Sequence, residues 1–233
     1  MYRDCPGLIM MTPIPPIEIA KAVTDLLIAV ACVIAIIPLS RICRTATREE
    51  KLWLQEFVYL ALASVLGYFA HNSALDGTLH RLLWAVLYAV MFELDRIFAL
   101  LILPLFDKSL PGQKSSRILV VTEIVLYLLT AGIRLATGFN TIGIFALFGV
   151  IVFVQIIRDA VKHKDKIPSF LVRDTVLILA LLGAALLCQI FTGDTFYVLS
   201  LPCNGVVIAH ILLALSVIPL YSLAKASILT LEK

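Results

Sequence analysis

Residues 20–39, AKAVTDLLIAVACVIAIIPL, form an apolar run that is long enough to cross a lipid bilayer as one helix. The hydrocarbon core of a bilayer is about 30 Å thick and takes about 20 helical residues. The charged side chains of this run, Lys21 and Asp25, both lie near its beginning. The stretch therefore predicts a membrane-spanning helix.

Six further runs of similar length follow along the chain, at 55–75, 82–104, 118–137, 141–158, 172–191 and 199–223. Hydrophobic residues make up 61% of the 233 residues and charged residues only 15%, which excludes a water-soluble domain. Membrane-exposed strands are excluded because their backbone groups would lack partners in lipid. We expect an all-α, polytopic integral membrane protein: one domain over residues 1–233, folded as a bundle of seven transmembrane helices.

Lysine and arginine are distributed unequally between the two sides of this predicted bundle. Four residues, Arg3, Lys21, Arg81 and Arg134, fall on the side of the amino terminus, and Arg96 falls within a span. Fourteen fall on the other side: Arg41, Arg44, Arg48, Lys51, Lys108, Lys114, Arg117, Arg158, Lys162, Lys164, Lys166, Arg173, Lys225 and Lys233. Because cytoplasmic connections are enriched in these residues, the amino terminus is predicted outside and the carboxyl terminus in the cytoplasm.

The net charge of +3 does not indicate a nucleic-acid partner, because the positive residues lie in loops and form no basic domain. The expected partner is the lipid bilayer. The five cysteines have neither CxxC spacing nor the density of a disulfide scaffold. Cys5 and Cys203, both predicted near the outer surface, are the pair left open as a disulfide.

Ionisable residues inside the predicted spans are candidates for function, because an unpaired charge in lipid costs several kcal/mol. Asp25 lies in the outer part of span one, and His71 lies in the outer third of span two. Asp95 lies near the middle of span three, and His210 lies about eleven residues into span seven. We expect these four side chains to converge in the outer half of the bundle.

Helical spacing adds Ser64 to this set. Ser64, Gly67 and His71 share one face of span two, and Gly67 would let a neighbouring helix or a ligand come close. In span three, Glu93 is placed to pair with Arg96, which leaves Asp95 as the spare carboxylate.

Two further predictions concern other spans. Arg96 and Glu123 both lie toward the cytoplasmic half, which predicts a structural ion pair. Cys203 and His210 are seven residues apart on one predicted stripe of span seven.

Two imidazoles and two carboxylates that face one cavity are suited to binding a divalent metal. The metal would lower the pKa of a bound water molecule, and a carboxylate would accept the proton of that water. The simpler alternative is that each buried histidine only hydrogen-bonds a serine or a backbone carbonyl.

A seven-helix chain with Ser64 and His71 on span two, Asp95 on span three and His210 on span seven resembles the CREST superfamily, which includes the alkaline ceramidases and adiponectin receptors. The resemblance implies a zinc site inside the bundle and hydrolysis of lipid amides such as ceramide. It makes His71 and His210 zinc ligands and Asp95 the residue that binds or orients water. It gives Ser64 a supporting role at the oxyanion and makes Asp25 the replacement for an acidic residue near span one.

The sequence departs from that family pattern at three places, and one is Asp95, which lies later in span three than the family pattern has it. Gly67 stands four residues before His71, where the family has serine. The HxxxH motif of span seven is incomplete, because Ala214 follows His210 at the fourth position and Val206 precedes it. One zinc ligand of the family is therefore missing.

Two other classes of function stay open. A small-solute transporter also fits seven helices, although the chain shows neither a parallel repeat nor a Pro-Gln pair. A receptor is suggested by Asp95-Arg96 and by Pro219 near Tyr221, but Asp95 lies too deep for a cytoplasmic switch. The position of Lys225 at the inner end of span seven argues against a retinal protein.

Overall fold

Seven helices make up most of the part of the chain that the structure describes. The computed structural model describes residues 14–43, 47–72, 77–106, 113–139, 141–163, 168–190 and 193–231. The helices are α1 (Pro16–Ile42), α2 (Arg48–Asn72), α3 (Gly77–Phe106), α4 (Gln113–Thr137), α5 (Ile142–His163), α6 (Ser169–Ile190) and α7 (Gly205–Leu231). A two-stranded antiparallel hairpin, β1 (Phe196–Val198) and β2 (Leu201–Cys203), lies between α6 and α7.

Six helices of the described chain are long and apolar enough to cross a membrane: α1, α2, α4, α5, α6 and α7. The protein therefore has the helices of a multi-pass integral membrane protein. The apolar stretch of α3 is interrupted by Glu93, Asp95 and Arg96, so composition alone does not mark it as a seventh span. The seven-span count and the orientation stay predictions.

Helix α2 begins at Arg48, seven residues before the predicted start of its span. Its first turn is closed by a capping box, in which the Glu50 amide donates to Thr47 Oγ1 at 3.2 Å and the Thr47 amide donates to Glu50 Oε2 at 3.3 Å. The helix thus begins before the apolar run does.

Helix α7 begins at Gly205, whereas the sequence predicted that its span begins at 199. Pro202 cannot donate a backbone hydrogen bond, and Asn204 Oδ1 accepts bonds from the amides of Val206 and Val207, both at 3.1 Å. His210 consequently lies five residues from the start of the helix. Cys203 belongs to β2 and does not share a helical stripe with His210. Cys5, the other half of the proposed disulfide, lies outside the described residues.

Helix α1 lies between α2 and α7 and packs extensively on both. Helix α7 packs on α6, and α3 contacts α2, α4 and α5. The largest fully buried side chains come from several helices: Trp53, Phe57, Tyr88, Phe92 and Phe148. Many leucine, isoleucine and valine side chains on the outside of the helices are exposed, as expected for a surface that faces lipid.

Candidate functional site

Asp25, His71 and His210 come together from helices α1, α2 and α7. One ligand atom from each residue lies within 4.8 Å of the other two, so the group could hold a metal ion. The residues are separated widely in the chain, and packing of α1 against α2 and α7 brings them together. Asp25 is 5% exposed and His210 is 6% exposed, which leaves both inside the bundle.

Oxygen acceptors surround Nδ1 of His210. The Lys21 carbonyl oxygen lies 3.3 Å away, Thr24 Oγ1 lies 3.1 Å away and Asp25 Oδ1 lies 3.4 Å away. The hydroxyl of Thr24 is within hydrogen-bond distance of the carbonyls of Ala20 and Lys21, at 3.0 and 2.8 Å, and donates its proton there. Thr24 can therefore accept from the ring, and Nδ1 of His210 carries the hydrogen.

Nδ1 of His71 faces a carboxylate, since Glu18 Oε2 lies 3.0 Å from it. The other oxygen of Glu18 accepts a bond from Lys21 Nζ at 2.5 Å. Glu18 and Lys21 share a face of α1 with Asp25, because they are spaced i, i+3 and i+7. One face of α1 thus supplies a carboxylate at the site and a second carboxylate that orients His71.

These contacts leave Nε2 as the nitrogen with a free lone pair on both rings. A histidine that binds a metal commonly donates its other N–H to a carboxylate or a backbone carbonyl, which holds the ring and sets its tautomer. Nδ1 of His71 faces the Glu18 carboxylate, and Nδ1 of His210 faces the Lys21 carbonyl. The two ring centroids are 5.9 Å apart, and Trp84 lies edge-on to His71 at 5.5 Å.

Gly67 makes room for the Asp25 carboxyl group. A Cβ atom at position 67 would lie 2.7 Å from Asp25 Oδ2 and 2.9 Å from Asp25 Cγ, closer than real Cβ atoms come. The close approach predicted at Gly67 is therefore present, and the partner is the α1 carboxylate. A side chain of any kind at position 67 would displace that carboxyl group.

A cavity of about 1160 Å³ contains the site and continues down the middle of the bundle. Polar side chains such as Glu18, His80 and Arg134 lie at the end that holds the histidines. Farther in, the lining is mostly apolar, with residues such as Leu60 and Phe145. A molecule with an apolar tail and a polar end would match this distribution.

Ser64 and Asp95 line the same cavity but lie deeper than the histidines. The Ser64 hydroxyl donates to the Leu60 carbonyl at 2.8 Å, within its own helix. Asp95 is eleven residues beyond Trp84 on α3, about 16 Å along the helix from the ring that contacts His71. The catalytic roles of Ser64 and Asp95 stay predictions.

A second buried carboxyl group that the sequence did not single out lines the same cavity as Asp95. This group belongs to Glu56 on α2. Glu56 Oε2 and Asp95 Oδ2 are buried without a hydrogen-bond partner in the described structure. The position of Glu56 one residue inside the predicted span 55–75 was the available signal.

Glu18 was also missed, because it lies two residues before the predicted start of the first span. The spacing of Glu18, Lys21 and Asp25 along one helical face was the signal that could have identified it. The structural ion pair on α3 and α4 is confirmed: Arg96 Nε lies 3.1 Å from Glu123 Oε2 and 2.8 Å from Glu93 Oε2.

A comparison with protein families gives a match over residues 20–228, to the family of unknown function DUF6962. The chain belongs to DUF6962. The DUF6962 match includes Asp25, His71 and His210, and begins just after Glu18. No curated protein and no solved structure matches the chain.

The donor set of this DUF6962 member, two imidazoles and one carboxylate, could hold a metal ion. Asp25 Oδ2 is buried and has no hydrogen-bond partner in the described structure, and a cation would satisfy it.

Proposed function

We propose that this protein is a zinc-dependent hydrolase of lipid amides, with Asp25, His71 and His210 as the metal ligands. The observation that carries the proposal is the convergence of these three donors inside a cavity, with an acceptor on Nδ1 of each ring. A relationship to the CREST superfamily, seven spans and an outward amino terminus belong to the same proposal.

The number of ligands supports catalysis over a structural metal site. Structural zinc sites in proteins use four protein ligands, whereas catalytic sites use three and leave one position open. Here a large cavity adjoins the three donors, so a substrate carbonyl has space at the open position. When bound, the ion would polarise that carbonyl and strengthen water as a nucleophile at neutral pH.

The side chains around the ligands have distinct roles in this proposal. Glu18 and the Lys21 carbonyl hold the two imidazoles with Nε2 available for the metal. The apolar lining deeper in the cavity accepts the hydrocarbon chain of a lipid, and a lipid is accordingly the proposed substrate. Catalytic roles for Ser64 and Asp95 belong to the same proposal, and both side chains line the cavity beyond the histidines.

Elemental analysis of the purified protein tests the metal directly. We expect about one zinc per chain in the wild type and a loss of zinc in His71→Ala and His210→Ala. His80→Ala is the matched control, because His80 lies at the same end of the cavity but outside the ligand group. Absence of zinc from the wild type, even after zinc is added, would reject the proposal.

Hydrolysis is tested with a ceramide labelled on its acyl chain, in detergent micelles. We expect release of the labelled fatty acid by the wild type and a loss of at least a hundredfold in His210→Ala, with His80→Ala close to wild type. A zinc-bound wild type that releases no fatty acid from ceramide or from simpler N-acyl lipids would leave a metal protein without the proposed activity.

A transporter is the second candidate, and the two buried carboxyl groups of Glu56 and Asp95 in the cavity favour it. Two carboxyl groups deep in a membrane cavity are typical of sites that bind a proton or a cation during transport. Uptake into proteoliposomes that is lost in Glu56→Gln but kept in His210→Ala would favour transport over hydrolysis.

A further inference from the structure

The hairpin between α6 and α7 exposes apolar side chains that the proposed chemistry does not use. Val198 pairs with Leu201 across the hairpin, and Leu199 and Ser200 form its turn. Leu199 is 93% exposed, Tyr197 is 70% exposed and Leu201 is 68% exposed. From Phe196 to Cys203 the chain carries no charged residue.

The turn has a conformation that does not suit its residues. Leu199 has φ 48° and Ser200 has φ 66°, which is the left-handed region for both. Two-residue hairpin turns with two positive φ angles strongly favour Asn-Gly, because other side chains are strained there. The backbone conformation therefore does not explain a leucine at this tip, whereas an apolar environment outside the protein would explain its exposed side chain.

The position of the hairpin indicates what that environment is. Strand β2 packs on α1 and is followed, after Asn204, by α7. The hairpin therefore stands at the end of the bundle where α1 and α7 begin. On α1, Ile19 and Val23 are half-exposed one turn apart and begin the apolar stripe of a membrane-spanning helix. Through β2, the hairpin thus packs on the helix that carries this membrane-facing surface.

We propose that the hairpin docks on the lipid bilayer and inserts Leu199 into the leaflet at the histidine end of the bundle. Tyr197 and Phe196 then lie at headgroup level, where aromatic side chains of membrane proteins are enriched. The occupant is a lipid surface because the patch is uncharged and belongs to a hairpin that packs on a candidate membrane-spanning helix.

Tryptophan fluorescence in lipid vesicles tests this proposal. Leu199→Trp places a reporter at the tip, and Asp194→Trp places one in the exposed loop before β1. The signal of the wild type, from Trp53 and Trp84, is subtracted from both. We expect phosphatidylcholine brominated on its acyl chains to quench the Leu199→Trp reporter at least twofold more than the Asp194→Trp reporter, and aqueous iodide to show the reverse order.

Quenching of Leu199→Trp by iodide to the same extent as Asp194→Trp would overturn the proposal. So would protection of Leu199→Trp that depends on protein concentration and not on brominated lipid, since it would identify a second copy as the occupant.

A variant that relieves the turn separates lipid insertion from folding. Tyr197→Trp serves as the reporter, with and without Leu199→Asn. Asparagine suits the left-handed turn, so thermal stability in detergent should not fall, whereas quenching by brominated lipid should drop about twofold. Unchanged quenching in the double variant would contradict a role for Leu199. None of these results depends on the metal, so hydrolysis and membrane docking fail or succeed separately.

Discussion

Gly67 and Asp25 lie so close together that the size of the residue at position 67 limits the position of the Asp25 carboxyl group. The carboxyl group of Asp25 occupies the space that a side chain at position 67 would fill. Of the two carboxylates predicted near the histidines, it is Asp25 that meets them, while Asp95 lies deeper. Asp25 Oδ1 lies 3.4 Å from Nδ1 of His210, and its other oxygen has no hydrogen-bond partner in the described structure, so a cation could complete its contacts.

Gly67→Ala should weaken zinc binding about tenfold or more, because the added methyl group pushes the Asp25 carboxyl group out of position. Competition with a chromophoric chelator measures the affinity. Gly132→Ala is the matched control, since a Cβ there meets nothing within 4 Å. Equal zinc affinity in the two variants would show that Asp25 is not a ligand.

Glu18→Gln tests the orientation of His71. Glutamine can still accept a hydrogen bond from Nδ1, but it loses the charge that holds the ring and pairs with Lys21. Loss of such an outer partner typically lowers metal affinity about 10- to 100-fold, and we expect a value near the lower end. The same substitution at Glu49, which bonds Ser227 at the other end of α2, should leave zinc affinity unchanged. An effect of Glu49→Gln as large as that of Glu18→Gln would point to general destabilisation instead.

At the scale of elements, helix ends are set by polar residues rather than by hydropathy. The capping box at Thr47 and Glu50 starts α2 before its apolar run, and Asn204 starts α7 after the beginning of its run. The second case is the more important one for the site, because it places His210 in the second turn of α7. A membrane-spanning run therefore indicates that a helix exists but not where it begins.

Asn204→Ala should lower the free energy of unfolding by about 1 kcal/mol, since two amides at the start of α7 lose their acceptor. Thermal unfolding in detergent is the measurement. Asn204→Ser keeps a capping oxygen and should retain most of the stability. If Asn204→Ser were as unstable as Asn204→Ala, packing of the buried side chain would be responsible and not capping.

At the scale of the whole molecule, the candidate metal site is formed by residues of three helices that are far apart in the sequence. A metal held by Asp25, His71 and His210 would link α1, α2 and α7, and unfolding would then require its release. Residues of the remaining helices also line the cavity.

Zinc should accordingly stabilise the folded chain, by about 2.7 kcal/mol when free zinc is one hundred times its dissociation constant. Thermal unfolding with and without zinc measures this, and magnesium is the control because it prefers oxygen ligands. The increase should disappear in His71→Ala. An equal increase with magnesium, or an increase that persists in His71→Ala, would place the ion elsewhere.

From the sequence alone, the helical membrane fold and the Arg96–Glu123 ion pair could be predicted, and so could the three residues that meet. Apolar runs of bilayer length and charges in spans are local features, and lipid leaves few structures that satisfy the backbone. The beginnings of α2 and α7 could have been found from Thr47, Glu50 and Asn204, since capping is also local. The sequence did not reveal the exposed hairpin, because its residues 196–203, FYVLSLPC, are as apolar as a membrane-spanning run.

Only the tertiary structure decided which groups surround the histidines. Glu18 meets His71 and Gly67 meets Asp25 because α1 packs closely against α2, and the Lys21 carbonyl meets His210 because α1 also packs against α7. Such contacts depend on the rotation and depth of each helix relative to its neighbour. The pattern within one helix carries no information about these quantities, whereas hydropathy and charge within that helix already determine that it lies in the membrane.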